Sequence, residues 1–268
     1  MPGLTIRHPM IAIDALTLSP QWLGGNGFVS QLFNAMSMSF PVGEGFFIAS
    51  VQAALPRLDD PELAETVRRF IGQEANHSRL HLALNRRLSQ VGLRNLVEPL
   101  ARWRIRHSEG LAMTSKLAIT MAYEHFTATF GDFILCHPEW LDGTEPAMRD
   151  LWMWHCVEEM EHRSVAYDVY RALGGGVMRR LVWFWYVSLL FLVDSILQTL
   201  LNLRGCGLLW KTASWRQAAR FLLGRGGLVW AVLPAWLDYL RPGYHPSQRG
   251  EDALATQWLA GKDSLFIQ

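Results

Sequence analysis

The sequence has little cysteine and little charge. Its 268 residues include three cysteines, none in a Cys-x-x-Cys spacing, which excludes a disulfide framework and favours a reducing compartment. The net charge of +1 leaves no electrostatic footprint for nucleic acid. The first residues lack the basic and apolar runs of a signal peptide. We therefore expect a cytoplasmic protein that does not bind nucleic acid.

The chain also lacks strand-like alternation of apolar and polar residues and the common phosphate-loop and nucleophile motifs. Half of its residues are hydrophobic, which is ample for a buried core. Apolar residues recur with helical spacing and are separated by Pro and Gly clusters. The pattern predicts an all-α protein with helices over about 27–39 (ended by Pro41), 42–56, 61–91, 109–136, 146–172 and 177–204, and two more within 213–240.

The chain divides into two parts by composition. We expect residues 1–175 to form a helical bundle and residues 176–268 an apolar helical extension packed on it. The segment 181–203 has a single charged residue, Asp194, and is long enough to span a bilayer. Asp194, Gln198 and Asn202 recur every four residues, however, and this polar stripe favours packing on the bundle or on a partner. A homodimer is therefore expected, with peripheral membrane contact as the alternative.

Glutamates and histidines recur at helical spacing inside apolar helices. In chain order they are Glu, Glu-x-x-His, Glu and Glu-x-x-His, formed by Glu44, Glu74, His77, Glu124, Glu159 and His162. This is the ligand order of ferritin-like four-helix bundles that hold two iron or manganese ions. Residues three apart share a helical face, so the carboxylate and imidazole of each pair reach the same ions. The pattern predicts two metals roughly 3.5–4 Å apart.

The lengths of the helical arms support this interpretation. Glu44 precedes the predicted turn at Arg57 by 13 residues, and Glu74 follows Asp60 by 14. The second hairpin has arms of 13 residues on both sides of its turn. Antiparallel helices with equal arms bring their carboxylates to one level. A lone Glu-x-x-His is weak evidence, because amphipathic helices often expose Glu and His, but the doubled hairpin rarely arises by chance.

Two further histidines, His81 and His155, face the bundle interior by helical phase. They are candidate ligands of these metals or of a third ion, and candidate catalytic groups. The alternative is that both histidines only donate hydrogen bonds that orient the metal ligands. Glu158 is a candidate catalytic base, a further ligand or an acceptor for a histidine.

Three segments carry a pattern beyond the ligand spacing, namely Phe40-Pro41-x-Gly-Glu44, Gln73-Glu74-x-x-His77 with Asn85, and Trp154-His155-x-x-Glu158-Glu159-x-Glu161-His162. With them the chain resembles, over about residues 25–175, the bacterial family named "predicted metal-dependent hydrolase". The resemblance implies a metal site built from His and Glu and says little about the substrate. Cys156 stands where an acidic residue is more usual.

These observations leave two main functions open. The first is a non-haem oxidase or oxygenase that uses two Fe ions, or Mn, and dioxygen on an apolar organic substrate. Its ferritin-like bundle would carry additional C-terminal helices. The alternative is a metal-dependent hydrolase in which the metal, Zn among the candidates, activates a water molecule. Iron storage is a third option, which the long C-terminal part makes weaker.

Overall fold

The computed structural model describes residues 4–249 and 252–267 and confirms the all-α class. No β-strand occurs within these residues, where two segments only form an isolated bridge. The α-helices are α1 (Gly27–Ala54), α2 (Pro61–Gln90), α3 (Glu98–His107), α4 (Met113–Cys136), α5 (Pro146–His162), α6 (Val165–Ala172), α7 (Val177–Gly205), α8 (Thr212–Leu223), α9 (Leu228–Tyr239) and α10 (Asp252–Ala260).

Four helices surround the centre of the molecule. α1 packs against α2, α4 packs against α5, and α1 also contacts α4 while α2 contacts α5. The side chains of Asn26 and Asp60 cap α1 and α2 by accepting hydrogen bonds from free backbone N–H groups. Two apolar clusters fill the bundle, one around Phe33 and Trp152 and the other around Phe70 and Phe126. The predicted metal-binding level lies between them.

Pro41 does not end a helix, and this part of the sequence prediction is wrong. α1 runs through it from Gly27 to Ala54. A proline inside a helix removes the hydrogen bond to the carbonyl four residues earlier, here that of Ser37. The Asn85 side chain donates to this carbonyl at 2.8 Å and replaces the lost donor. The helix therefore continues towards Glu44.

Two other boundaries differ from prediction. The predicted helix 146–172 is broken after His162, where Arg163 donates to the carbonyls of Met160 and Pro246. The region before α4 holds a separate short helix, α3, which the sequence pattern does not predict. The break leaves His162 in the last turn of α5, and α3 contacts α1.

The C-terminal helices pack on the outside of the bundle. α7 contacts α1 and α4, and α8 and α9 contact α1 and α4 respectively. The polar stripe of α7 faces protein, since Asp194 pairs with Arg104, and Gln198 accepts hydrogen bonds from the backbone N–H groups of Leu96 and Val97. Among the described helices, α7 alone is long and apolar enough to cross a membrane, a test that core helices of soluble proteins also pass.

Candidate metal centre

The bundle helices direct carboxylates and imidazoles into one buried level. α1 supplies Glu44, α4 supplies Glu124, and α2 and α5 each supply a Glu-x-x-His pair. None of the six side chains that the spacing predicts is exposed by more than 3% (Glu44, Glu74, His77, Glu124, Glu159 and His162). Charged groups this deeply buried need compensating partners.

Four of these residues form one group around a shared space. One ligand atom each from Glu74, His77, Glu159 and His162 lies within 4.8 Å of the others. His77 Nδ1 is 3.6 Å from Glu74 Oε1 and 3.8 Å from Glu159 Oε1, and His162 Nε2 is 3.4 Å from Glu74 Oε1. These separations exceed ordinary hydrogen-bond distances. The four side chains can hold a metal ion.

A second group overlaps the first at His77. Glu44, His77 and His155 also bring one ligand atom each within 4.8 Å of one another. Neither carboxylate oxygen of Glu44 accepts a hydrogen bond, although both are buried. An unpartnered carboxylate in an apolar surrounding is strongly unfavourable without a cation. The second group therefore also fits a metal ion.

Glu124 lies against His162 on the side away from Glu74. His162 Nδ1 is 3.0 Å from Glu124 Oε2, and the other carboxylate oxygen of Glu124 has no partner. Thr127, one helical turn beyond Glu124, donates a hydrogen bond to Glu159. Thr127 was not predicted, although its spacing of three residues from Glu124 places it on the same helical face.

Glu158 contacts the other nitrogen of His77. His77 Nε2 lies 3.2 Å from Glu158 Oε2, and Arg7 reaches the second oxygen of Glu158 at 3.3 Å. Arg7 also makes two hydrogen bonds of 2.7 Å to Glu161, which accepts another from Gln73 at 2.9 Å. Arg7 was not predicted, because no local pattern links it to carboxylates more than 150 residues away.

The two additional histidines form a line that leads to the cluster. His81 Nδ1 is 2.9 Å from Ser37 Oγ, and His81 Nε2 is 3.1 Å from His155 Nδ1. His155 Nε2 is 3.1 Å from Glu159 Oε1. His155 thus reaches the metal-binding groups directly, whereas both nitrogens of His81 contact other side chains.

Burial and mutual repulsion shift the acidity of the cluster strongly. Burial and the nearby Glu74 raise the pKa of Glu44 well above its ordinary value, and burial with repulsion from Glu74 and Glu159 raises the pKa of Glu124 to about 8. Although burial opposes it, contact with Glu124 raises the pKa of His162 to about 9. Burial likewise opposes ionisation of Glu159, but His155 and its other histidine neighbours lower the pKa of Glu159 to about 2. In the metal-free protein, the raised pKa values of Glu124 and His162 favour their protonated forms, whereas the lowered pKa of Glu159 favours its carboxylate anion.

The donor set matches a divalent metal. Several buried atoms lack a hydrogen-bond partner, including both oxygens of Glu44 and Glu74, Nδ1 of His77 and Nε2 of His162. Native proteins rarely leave so many buried polar atoms unpaired in one place. Carboxylate oxygens with imidazoles suit Fe, Mn or Zn.

A cavity of about 580 Å³ opens towards the surface between α3 and α7. No cluster residue lines it, but Phe40, which stacks on His155, and Thr127, which donates to Glu159, do. Its inner wall includes Gly43 and Tyr123, the chain neighbours of Glu44 and Glu124, and also Thr127. Its outer part is bordered by apolar side chains of α7 and by the Arg104–Asp194 ion pair. Small-molecule sites are commonly about 300–1,000 Å³, so the cavity is large enough for an organic ligand.

Comparison with known proteins agrees with this chemistry. A family model described as "Predicted metal-dependent hydrolase" matches residues 5–250, which is most of the chain. Comparisons with curated proteins and with solved structures found no match. The four bundle helices, the C-terminal helices up to α9 and the buried Glu/His cluster all lie within the matched residues. The chain therefore belongs to the family of predicted metal-dependent hydrolases.

Proposed function

We propose that this protein is a metal-dependent hydrolase whose metal centre is the buried Glu/His cluster. The observation that carries the proposal is the pair of overlapping ligand groups that share His77. The unpartnered oxygens of Glu44 and Glu74 add support, since a bound cation would compensate them. The family description also favours hydrolysis.

Each member of the cluster has a distinct part in the proposed centre. Glu74, His77, Glu159 and His162 would hold one ion, and Glu44 with His155 would hold a second beside it. A bound divalent metal would lower the pKa of a water molecule and polarise the bond that is broken. Apolar residues on both sides of the cluster limit the access of bulk water and strengthen electrostatic interactions there.

The surrounding side chains orient the proposed ligands. Glu158, fixed by Arg7, holds the His77 ring from the side opposite Glu74. Glu124 does the same for His162, and Thr127 for Glu159. These contacts favour a positioning role for Glu158 over the catalytic base that the sequence predicts. His81 would fix His155 through its contact with Ser37.

A dioxygen-dependent oxidase or oxygenase is the second candidate. It is favoured by one observation, the doubled Glu and Glu-x-x-His arrangement on two helical hairpins, which is the donor set of di-iron carboxylate bundles. Iron in such a site would supply redox chemistry that zinc does not. The bound metal and the need for dioxygen therefore separate the two candidates.

Metal reconstitution tests the proposal. Chelator-stripped protein is reloaded with Zn, Mn or, without air, ferrous iron, and release of p-nitrophenol from acyl esters of increasing chain length is measured. We expect hydrolysis with redox-silent zinc and without dioxygen, lost in Glu74→Ala and kept in Glu65→Ala, an exposed carboxylate on the same helix. Turnover of apolar substrates only with iron and dioxygen would favour the oxidase, and no hydrolysis with any metal would contradict the proposal.

A further inference from the structure

The outward side of α7 is a continuous apolar stripe. Its residues recur every three or four positions, so they project from one side of the helix over about 20 Å. Their side chains are exposed by 46–62% (Val182, Trp185, Leu189, Leu192, Val193 and Ile196). Exposed apolar surfaces of this extent mark interaction sites on soluble domains or membrane-bound proteins.

The opposite side of α7 packs against the bundle. Phe184 and Val187 are fully buried, and Gln198 is bonded to the start of α3. A membrane-crossing helix would expose apolar groups to lipid around much of its circumference. α7 instead has one packed side and one free side along its length, which is the pattern of a helix that lies in an interface plane.

Helices on both flanks widen the stripe into a face. On one flank Trp236 of α9 lies 4.6 Å, between ring centroids, from Trp185, and the neighbouring Leu233 and Leu237 are exposed. On the other flank α3 exposes Leu100 and Trp103 beside the Arg104–Asp194 pair. We call these exposed residues of α3, α7 and α9 the apolar face.

The positive charge of the C-terminal part of the chain favours an anionic partner. Residues 176–268 contain ten Lys or Arg against five Asp or Glu, a net charge of +5, whereas residues 1–175 carry a net charge of −4. Arg179 and Arg204 are exposed and bracket the stripe at the two ends of α7. A second copy docked on this face would bring two strongly positive segments together, whereas an anionic lipid surface attracts them.

The cavity opens at the same face. Trp103 and Tyr186 line its outer part and are also exposed, while Phe40 and Thr127 line its inner part beside the cluster. We propose that the apolar face docks on an anionic lipid bilayer and that the cavity takes up a single apolar chain, such as an acyl chain, from that bilayer. The uptake step rests on the proposed function, because it supplies the substrate of the metal centre. Docking does not depend on the proposed function, because it is inferred from the apolar face and the charge alone.

Vesicle flotation tests docking with the full chain. The probes are vesicles of phosphatidylcholine with or without phosphatidylglycerol. We expect binding to the anionic vesicles, weakened at least about tenfold in Leu189→Glu/Leu192→Glu, because two exposed leucines no longer enter the lipid. Leu82→Glu/Val91→Glu, at two exposed apolar residues in and directly after α2, is the matched control and should bind normally.

A second variant pair tests the charge. Arg179→Glu/Arg204→Glu should weaken binding to anionic vesicles about tenfold or more and leave any binding to neutral vesicles unchanged. Arg57→Glu/Arg68→Glu changes the same number of charges near the start of α2 and should have little effect. Vesicle binding that neither the leucine pair nor the arginine pair of substitutions weakens would overturn docking. A stable dimer that fails to bind vesicles and dissociates on Leu189→Glu/Leu192→Glu would do so too, since the face would then be a subunit interface.

Binding of parinaric acid, a fluorescent polyene fatty acid, tests the cavity. Ala101→Trp places a large ring at the cavity wall and should reduce affinity at least about tenfold, whereas Ala172→Trp, exposed on α6, should not. Equal affinity in the two variants would overturn uptake through this cavity. Both binding measurements need no turnover, so their failure is distinguishable from a failure of the hydrolase proposal.

Discussion

The two nitrogens of His77 face different carboxylates. Nδ1 is directed at Glu74 and Glu159, whereas Nε2 lies 3.2 Å from Glu158. A histidine ligand commonly binds a metal through one nitrogen and is oriented by a carboxylate at the other. Arg7 pairs with Glu158 and so fixes this carboxylate. These contacts make Glu158 the residue that sets the orientation of His77.

The substitution Glu158→Gln should weaken metal binding without removing a metal position. Loss of an orienting carboxylate typically lowers metal affinity about 10–100-fold. Competition with a coloured chelator measures the affinity, and elemental analysis at saturating metal measures the stoichiometry. Glu139→Gln, at an exposed carboxylate outside the bundle, is the control. Unchanged affinity with lost hydrolysis would instead make Glu158 the catalytic base.

Metal binding should release protons at neutral pH. Burial holds the pKa of Glu124 at about 8 and that of Glu44 well above its ordinary value, and contact with Glu124 holds the pKa of His162 at about 9 against the effect of burial. His162 is therefore largely protonated in the metal-free protein at pH 7, and ligation requires its deprotonated form. Apparent metal affinity should thus rise as the pH rises from 6 towards 8.

Isothermal titration calorimetry in buffers of different ionisation enthalpy measures this release. We expect at least one proton released for each protein loaded at pH 7, and fewer at pH 9. Metal affinity that is flat or falls with rising pH would show that the cluster does not bind metal through these groups.

The sequence predicted which residues meet at the centre better than it predicted their contacts. Helical phase and equal arm lengths brought Glu44, Glu74 and Glu159 to one level, because rigid helices carry spacing directly into space. The position of Arg7 was not predictable, since the irregular N-terminal segment has no periodicity. The contact of Glu124 with His162 depends on rotamers that spacing does not determine.

At the scale of the helices, close contact between α4 and α5 depends on one glycine. A Cβ atom at Gly131 would lie 2.9 Å from the carbonyl oxygen of Cys156. This backbone oxygen belongs to α5, three residues before Glu159, so α4 and α5 approach closely beside the cluster. Gly45 of α1, in contrast, has no atom within 4 Å of an added Cβ and is exposed.

The substitution Gly131→Ala should therefore destabilise the protein while Gly45→Ala stabilises it. Overpacking costs about 1–3 kcal/mol and offsets the gain of about 1 kcal/mol that alanine brings to a helix. Gly45→Ala brings the gain in helix stability without the cost of overpacking. Urea unfolding of the metal-free proteins measures both. Equal stabilisation of the two variants would mean that α4 and α5 are not in close contact at this level.

The fold shows the same division between predictable and unpredictable features. Long periodic segments gave α2, α7 and the pair α8 and α9 close to their observed bounds. The continuation of α1 through Pro41 was not predictable, because the donor that compensates for it, Asn85, lies on another helix. The break after His162 also has no Pro or Gly to signal it.

On the scale of the whole molecule, the net charge is close to zero, but the bundle and the C-terminal helices differ in charge and in exposed apolar surface. The bundle places its charged cluster between two apolar cores, and the C-terminal helices carry most of the excess positive charge and the exposed apolar face. The cavity connects these two parts. Under the proposed docking, an apolar ligand would enter the cavity from the bilayer and approach the cluster without crossing bulk water.

The metal content of matched glutamate variants tests the buried centre most directly. The full chain, Glu74→Ala and Glu65→Ala are loaded with the same metal, desalted and analysed by inductively coupled plasma mass spectrometry. Glu74 is fully buried in the cluster, whereas Glu65 is an exposed carboxylate on the same helix. We predict about two ions per chain in the unmodified protein and in Glu65→Ala, from the two overlapping ligand groups, and the loss of at least one ion in Glu74→Ala. Full metal content in Glu74→Ala would contradict the assignment of the cluster as the metal centre.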